Sequence, residues 1–233
     1  MPVEYPESID VWRIDLATAN DLEACFSMLD ADEQARADRF RFSKHRRRFI
    51  LAHAAVRGIL AARLGVPPCA LNFCRSAHGK PYLESADAPV FSLSHSHEMA
   101  LLAVAAEGEL GIDIEWCRDL AHAEMAQRFF AADEAAALAA LPPDRQREGF
   151  FACWTCKEAY IKAKGLGLSL PLHAFSVAID PQQAPQLLSS RHDPGDVGPY
   201  RFWEVPVAAG YRAALAYRGA AESPRYRDWT ALC

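Results

Sequence analysis

The alternation of hydrophobic and polar positions is clearest in Gly111-Ile112-Asp113-Ile114-Glu115, which follows the turn Glu107-Gly108-Glu109. Residues two apart on a strand share one face of a sheet. The pattern therefore predicts a strand that buries two isoleucines and presents two carboxylates on its other face. The α-carbons of Asp113 and Glu115 would lie roughly 7 Å apart, from a rise of ~3.3 Å per residue. That spacing suits two ligands of one divalent cation, and a solvated acidic face is the alternative.

Apolar residues at helical spacing predict two long helices. The first begins with Ser43 as its cap and ends at Leu64, before a glycine and two prolines. The second is opened by Pro142-Pro143 and runs to Lys164, where Gly165 ends it. Shorter helices are predicted from Asp30 or Asp32 to Arg39 and, singly or as a pair, over residues 121–141. Strands are predicted at 11–16, 70–75, 90–94, 99–105, 175–179, 200–205 and 211–217.

Each half of the chain thus shows a long helix followed by three strands. We predict an α+β fold of two similar half-domains, residues 1–107 and 108–233, related by a pseudo-twofold axis. Each would be a long helix packed on a small, mainly antiparallel sheet. The acidic strand falls at the seam between them, where ligand sites tend to form. Residues 181–199 are predicted to be a mobile surface loop, and the last dozen residues give no signal.

The 233 residues suit one large domain or two small fused ones, with 51% hydrophobic and 24% charged residues. No apolar run approaches the ~20 residues of a membrane span, and the start shows no secretory signal. A cytoplasmic protein with no membrane partner is therefore predicted. The net charge of −5 argues against general nucleic-acid binding. Seven cysteines, an odd number, favour reduced thiols, and the pair Cys153 and Cys156 lies in mid-helix, where a zinc or redox role is not expected.

Positive charge is concentrated locally. Lys44 and the run Arg46-Arg47-Arg48 lie in the first turns of the first long helix, where cations oppose the helix dipole unless an anion binds there. Ser94 supplies a hydroxyl donor and His95 an imidazole. Placed beside these cations and Lys80, they would suit the binding of a polyanion. A solvated helix face is the alternative for the cations.

Glu158 and Lys162 lie four residues apart on the second long helix and so share one face. As a surface ion pair they would contribute roughly 0.3 to 0.5 kcal/mol. Alternatively, Glu158 is a third carboxylate for the metal ion, and Lys162 binds the anion that the metal also contacts. Three carboxylates leave coordination positions for phosphate oxygens and water, as Mg²⁺ prefers.

An ordered series of motifs between residues 36 and 177 resembles the 4′-phosphopantetheinyl transferases, in their larger, surfactin-type (Sfp-like) monomeric group. The motifs are Gly79-Lys80-Pro81, Phe91-Ser92-Leu93-Ser94-His95-Ser96, Gly111-Ile112-Asp113-Ile114-Glu115, Arg128-Phe129-Phe130 with Glu134, Trp154-Thr155-Cys156-Lys157-Glu158-Ala159 with Lys162, and Gly165-Leu166-Gly167-Leu168-Ser169-Leu170-Pro171-Leu172. The resemblance implies two similar α+β halves with the active site between them. It also implies transfer of the phosphopantetheine arm of coenzyme A to a serine of an acyl or peptidyl carrier protein, with release of 3′,5′-ADP and a requirement for Mg²⁺.

The resemblance implies a role for each matched residue. The N-terminal half would hold the coenzyme A nucleotide, and the C-terminal half the metal ligands and the catalytic helix. Asp113, Glu115 and Glu158 would bind Mg²⁺, Lys162 and Ser94 the pyrophosphate, His95 a coenzyme A phosphate and Lys80 the nucleotide end. Glu158 is the first candidate for the base and Glu134 the second.

The chain departs from the family pattern at Glu33, because some relatives have a lysine there that binds the 3′-phosphate. Arg36 and Arg48 are the predicted substitutes. The carrier proteins that this family modifies are typically acidic, and this chain is also acidic overall. A local basic or apolar patch would therefore have to attract the carrier. The candidate residues for a basic patch are Arg128, Arg145 and Arg147, with a solvated helix face as the alternative for each. Two other functions stay open, a different Mg²⁺-dependent phosphoryl or nucleotidyl transferase and a non-catalytic nucleotide-binding module.

Overall fold

The computed structural model describes residues 8–18, 21–85, 87–221 and 223–230. The prediction that the chain starts without a secretory signal concerns residues that lie partly outside these ranges. The α-helices are α1 (Leu22–Ser27), α2 (Ala31–Asp38), α3 (Ser43–Leu64), α4 (His122–Phe129), α5 (Ala132–Ala140) and α6 (Pro143–Lys164). The strands are β1 (Ile9–Asp15), β2 (Phe73–Arg75), β3 (Pro81–Leu83), β4 (Val90–Ser96), β5 (Met99–Ala105), β6 (Glu109–Trp116), β7 (Phe175–Val177), β8 (Leu187–Ser190), β9 (Arg201–Glu204), β10 (Tyr211–Arg218) and β11 (Pro224–Trp229). The predicted α+β class is confirmed.

The strands form two main sheets, ordered β11-β1-β5-β4 and β6-β10-β9, and two small hairpins, β2-β3 and β7-β8. The pairings in the described part of the chain are antiparallel except that of β1 with β11, which is parallel. Strand β11 belongs to the sheet of the N-terminal half although it lies far beyond residue 107. The last dozen residues thus contain a strand that the sequence did not reveal, and the boundary at residue 107 stays a prediction.

Helix α3 packs against one face of the first sheet, and α6 packs on the second sheet, each with its own apolar cluster. A third cluster lies between the two sheets and includes Val11, Leu101, Ile112 and Leu215. Strand β5 is buried almost along its whole length, which explains why its sequence is a continuous apolar run rather than an alternation.

The two long helices have matching ends. Both span 22 residues, and both end at a glycine in the left-handed conformation, Gly65 at φ 68° and Gly165 at φ 67°. A residue with a Cβ atom adopts this conformation only at a cost, so glycine is favoured there. The start of α3 differs from the prediction, because its N-cap is Phe42 and no side chain caps it. Ser43 is the first helical residue instead.

The segment 181–199 contains a strand and a fully buried carboxylate, so the prediction of a mobile surface loop was wrong. Asp196 accepts hydrogen bonds from Tyr160 at 2.5 Å and Arg218 at 2.9 Å, and it forms an ion pair with Lys164 at 3.0 Å. These contacts fasten the segment to α6 and β10.

Cys153 and Cys156 are free and buried inside α6. Burial raises the pKa of the Cys156 thiol to about 12, so the reactive thiolate is disfavoured. Among the described residues, no helix combines the length and apolar character that crossing a bilayer requires.

Candidate active site

The site lies where α6 rests on β6, and Gly111 sets how closely they approach. A Cβ atom at Gly111 would lie 2.0 Å from the carbonyl oxygen of Ala159 and 2.4 Å from the amide nitrogen of Ala163. Any side chain would therefore push the helix away from the strand. Because Asp113 follows two residues later, it lies on the same face of the strand as Gly111.

Strand β6 is an edge strand of its sheet, so one of its edges has no neighbouring strand in that sheet. Serines at alternate positions of β4 form hydrogen bonds with the backbone N–H groups of this edge. Their hydroxyl oxygens accept hydrogen bonds from backbone N–H groups: Ser92 from Ile112 at 3.1 Å, Ser94 from Ile114 at 3.4 Å and Ser96 from Trp116 at 3.0 Å. Buried N–H groups without a partner are costly, so these serines join the two sheets at the seam.

Two of these hydroxyls also hold the acidic side chains. The Ser94 hydroxyl donates to Asp113 Oδ1 at 2.8 Å, and the Ser96 hydroxyl donates to Glu115 Oε2 at 2.8 Å. The serine motif thus positions both carboxylates of β6.

Lys162 completes this cluster from α6. Its ammonium group donates to Asp113 Oδ1 at 2.7 Å and to Ser94 Oγ at 2.8 Å. A serine hydroxyl has one donor and two lone pairs. In Ser94 the hydroxyl hydrogen is donated to Asp113, and the two lone pairs accept from Lys162 and from the backbone N–H of Ile114. Ser94 thus positions Asp113 and Lys162, and the pyrophosphate contact that the family resemblance implies for it stays a prediction.

Asp113 has one carboxylate oxygen without a partner. The side chain is nearly buried, at 4% exposure, and no group among the described residues hydrogen bonds to its Oδ2. An unsatisfied buried polar atom costs roughly 1–3 kcal/mol. A carboxylate oxygen in that state fits a cation ligand.

Glu115 and Glu158 lie close enough to Asp113 to respond to its charge. Burial raises the pKa of both carboxyl groups, and the negative charge of Asp113 raises them further. Within the described ranges, however, no three His, Cys, Asp or Glu side chains are already arranged around a metal position. The cation that Asp113 Oδ1 contacts is the Lys162 ammonium group. The donors suit Mg²⁺ chemically, and the metal assignment stays a prediction.

A cavity of about 830 Å³ opens beside Glu158 and Lys162. One part of its wall is apolar, with Phe129, Trp154, Leu170 and Leu172. Five lining residues are cations and two are acids, although the whole chain is acidic: Arg36, Arg75, Lys80, Arg128 and Lys162 against Glu33 and Glu158. The cavity therefore suits a ligand with both anionic and apolar parts.

Lys80 lines the cavity, but its ammonium group is already hydrogen bonded. It donates to the backbone carbonyls of Leu110 and Ala163, both at 3.0 Å. Burial lowers the pKa of Lys80 to about 8. Lys80 thus ties the N-terminal half to the start of β6 and to the last turn of α6, and its predicted contact with the nucleotide stays a prediction.

The N-terminal end of the cavity contains a network that the sequence did not reveal. Arg57 is fully buried and pairs with Asp30 and, at 2.5 Å, with Glu33. The other oxygen of Glu33 accepts from His53 Nδ1 at 2.6 Å. Burial raises the pKa of Glu33, but these hydrogen bonds outweigh burial and leave the pKa lowered. The acid that departs from the family pattern is therefore the counterion of Arg57 and a hydrogen-bond partner of His53.

The other predicted phosphate ligands are separated. Arg36 lines the cavity and lies over the Phe49 ring, 4.9 Å from its centre. Arg48 pairs with Glu98 at 2.5 Å and lies away from the cavity wall. His95 is exposed on β4 and also lies away from that wall. Of these three residues, only Arg36 lies where a ligand in the cavity would contact it.

Glu134 lies in the core and not in the cavity. It is 2% exposed, and its oxygens accept from Lys157 Nζ at 2.7 Å, the Val177 amide at 2.8 Å and the Ala131 amide at 2.9 Å. A catalytic base must reach the proton that it takes. This network leaves Glu134 no access to a substrate, so we correct its assignment from candidate base to structural residue.

Comparisons with known proteins match both halves of the chain. Residues 109–216 match a family model described as the 4′-phosphopantetheinyl transferase superfamily, and residues 14–109 match one described as 4′-phosphopantetheinyl transferase, N-terminal. The 4′-phosphopantetheinyl transferase HetI of Nostoc sp. is 39% identical over 186 residues, which cover 78% of each chain. The 4′-phosphopantetheinyl transferase Sfp of Bacillus subtilis is 30% identical over 195 residues, covering 83% of this chain and 84% of the relative.

Proposed function

This chain belongs to the 4′-phosphopantetheinyl transferase superfamily, and from that premise we propose how its cavity carries out the transfer. Members move the 4′-phosphopantetheine arm of coenzyme A onto a carrier protein, and so does this chain. The observation that carries the assignment of the site is the cluster of Asp113, Ser94 and Lys162 beside the cavity.

We place the substrate by matching its chemistry to the wall. The anionic nucleotide faces the N-terminal end, where Arg36 and His53 lie, and the pyrophosphate lies at Lys162. The uncharged pantetheine arm follows the apolar wall at Phe129 and Trp154. This orientation gives each part of coenzyme A a complementary surface.

Asp113, through its unpartnered oxygen, and Glu115 and Glu158 are the proposed donors to Mg²⁺, which when bound would supply charge that neutralises the pyrophosphate. Glu158 is the proposed base, because it lines the cavity next to Lys162. It takes the proton of the carrier serine as the serine oxygen bonds to the β-phosphorus, and the bond from that phosphorus to the oxygen of 3′,5′-ADP breaks. Lys162 neutralises charge on the phosphate oxygens.

Two further points belong to the proposal. The enzyme acts as a monomer, which is supported by a site built from both halves of one chain. It works in the cytoplasm on acyl or peptidyl carrier proteins, which is supported by the free cysteines of the described residues, since thiols stay reduced there.

Transfer is tested by incubating the protein with coenzyme A, Mg²⁺ and several apo carrier proteins and measuring carrier mass. We expect at least one carrier to gain one phosphopantetheine arm, and we expect EDTA to prevent the gain. A carrier whose acceptor serine is replaced by alanine is the control. If every carrier stayed unmodified while the protein bound coenzyme A, the proposal would be wrong.

His53→Ala is expected to weaken recognition of the 3′-phosphate of coenzyme A. Glu33 holds one ring nitrogen, which leaves the other for a ligand in the cavity. Loss of one charged hydrogen bond of ~1.5–3 kcal/mol corresponds to a rise in KM for coenzyme A of about tenfold or more. KM for dephospho-coenzyme A should not change. Equal changes for both substrates would show that His53 does not contact that phosphate.

A further inference from the structure

The turn between α2 and α3 carries a concentration of positive charge that the chemistry at Lys162 does not use. Residues 36–48 contain seven of the 25 Lys and Arg residues and a single acid, in a chain of net charge −5. The remainder of the chain is therefore more acidic than the total suggests. Such asymmetry indicates a surface for an acidic partner.

Part of this charge is neutralised within the fold. Arg46 pairs with Asp38 at 3.0 Å, and Arg47 and Arg48 both contact Glu98. Arg36 faces the cavity. The exposed residues Arg39, Arg41 and Lys44 have no acidic partner among the described residues, and together with Phe42 and His45 they form what we call the basic corner.

The basic corner also presents an aromatic side chain. Phe42 is 56% exposed, and it is flanked by the Arg41 guanidinium, 5.5 Å from its ring centre, and by the His45 ring at 5.9 Å. Phe42 does not line the cavity, and a phosphate group gains little from an aromatic ring. Exposed aromatic side chains and arginines are instead enriched in protein interfaces.

The other basic residues considered for carrier binding are less suitable. Arg145 pairs with Asp180 at 2.7 Å, and Arg147 pairs with Asp119 at 3.0 Å. Arg128 lies over the Phe129 ring and lines the cavity itself, where the ligand would contact it. In the basic corner, by contrast, three cations without an acidic partner among the described residues lie next to the exposed ring of Phe42.

We propose that the basic corner docks an acidic surface of the carrier protein while the carrier's serine enters the cavity, an inference that rests on the proposed function. Arg36 lines the cavity from α2, and Arg39, the C-cap of that helix, follows three residues later, about 4.5 Å along the axis. A carrier domain of ~100 residues has a radius of gyration of about 13 Å. A carrier over the cavity rim therefore reaches the corner.

The test compares two double variants that change net charge equally. Arg39→Glu/Lys44→Glu reverses the corner, and Arg191→Glu/Arg225→Glu reverses two exposed cations elsewhere that have no acidic partner in the described part of the chain. At low ionic strength we expect kcat/KM for the carrier to fall about tenfold or more in the corner variant. The control variant should stay within about twofold, and KM for coenzyme A should stay unchanged in both.

The salt dependence provides a second measurement. Raising ionic strength from 0.01 to 0.15 M shortens the Debye length from ~30 to ~8 Å. It should therefore slow the wild type more than the corner variant. A second set of carriers has the acidic residues near the acceptor serine changed to amides. With the wild-type enzyme, kcat/KM for these carriers should fall by the same factor as the corner variant shows with the unchanged carrier. With the corner variant, kcat/KM should fall no further.

Three outcomes would overturn the proposal: an unchanged kcat/KM for the carrier, an equal loss in the control variant, or a rise in KM for coenzyme A alone, which would assign the corner to the small substrate. A thermal melt that matches wild type excludes misfolding of the corner variant. Failure of the proposed function would look different, because the wild type itself would then modify no carrier.

Discussion

Transfer is expected to fall by about 10²- to 10³-fold when Asp113 is replaced by alanine, the size seen when one preorganised electrostatic contact is lost. The carboxylate holds the Lys162 ammonium at 2.7 Å and is itself held by Ser94. Without it, Lys162 loses its fixed position, and the proposed Mg²⁺ site loses a buried oxygen that has no partner among the described residues. Steady-state kinetics with coenzyme A and an apo carrier measure the loss.

Two comparisons separate this effect from a loss of folding. Asp113→Asn keeps the shape of the side chain but removes its charge, so it should also be slow and should need more Mg²⁺ for half-maximal rate. Asp32→Ala changes an exposed acid on α2 and should leave the rate unchanged. An Asp113→Ala enzyme that folds and keeps the wild-type rate would remove Asp113 from the catalytic site.

Replacing Lys157 by methionine is expected to destabilise the fold by about 3–5 kcal/mol, because it leaves Glu134 charged and unpaired in the core. The two side chains are 0% and 1% exposed and form an ion pair at 2.6 Å. Lys157 also donates to the Phe175 carbonyl at 2.6 Å, so the pair joins α5, α6 and β7. Urea unfolding monitored by circular dichroism measures the loss.

The double variant Lys157→Met/Glu134→Gln should recover part of the lost stability, since neither charge then remains buried alone. Glu124→Gln on the exposed side of α4 should change stability by no more than about 0.5 kcal/mol. If Glu134→Gln instead kept full stability and lost only turnover, our structural assignment of Glu134 would fail and its role as a base would return.

Local signals in the sequence were enough to predict the class of fold and the two long helices. Gly65 and Gly165 mark helix ends that the structure has at the same residues. The strand Glu109–Trp116 follows from its alternation, with its isoleucines buried between the sheets. Each of these features depends on residues within a few positions of one another, which is why a pattern reveals them.

Features that depend on distant residues were not predicted. Arg57 and Glu33 are 24 positions apart, and nothing local shows that a buried arginine needs that acid. The hydrogen bond from Ser94 to Asp113 gave no local signal, because it exists only once β4 lies beside β6. Glu134 looked like a base because a carboxylate near a catalytic motif gives no sign of its burial.

The parallel pairing of β11 with β1 affects how the protein is made. The sheet that supports α3 needs a strand beginning at residue 224, although β5 ends at residue 105. At a ribosomal rate of about 5–20 residues per second, the first strands wait on the order of 10 s for this neighbour. The edge of β1 stays open throughout that interval, so nascent chains should be most prone to chaperone capture or aggregation shortly before synthesis reaches the final strand.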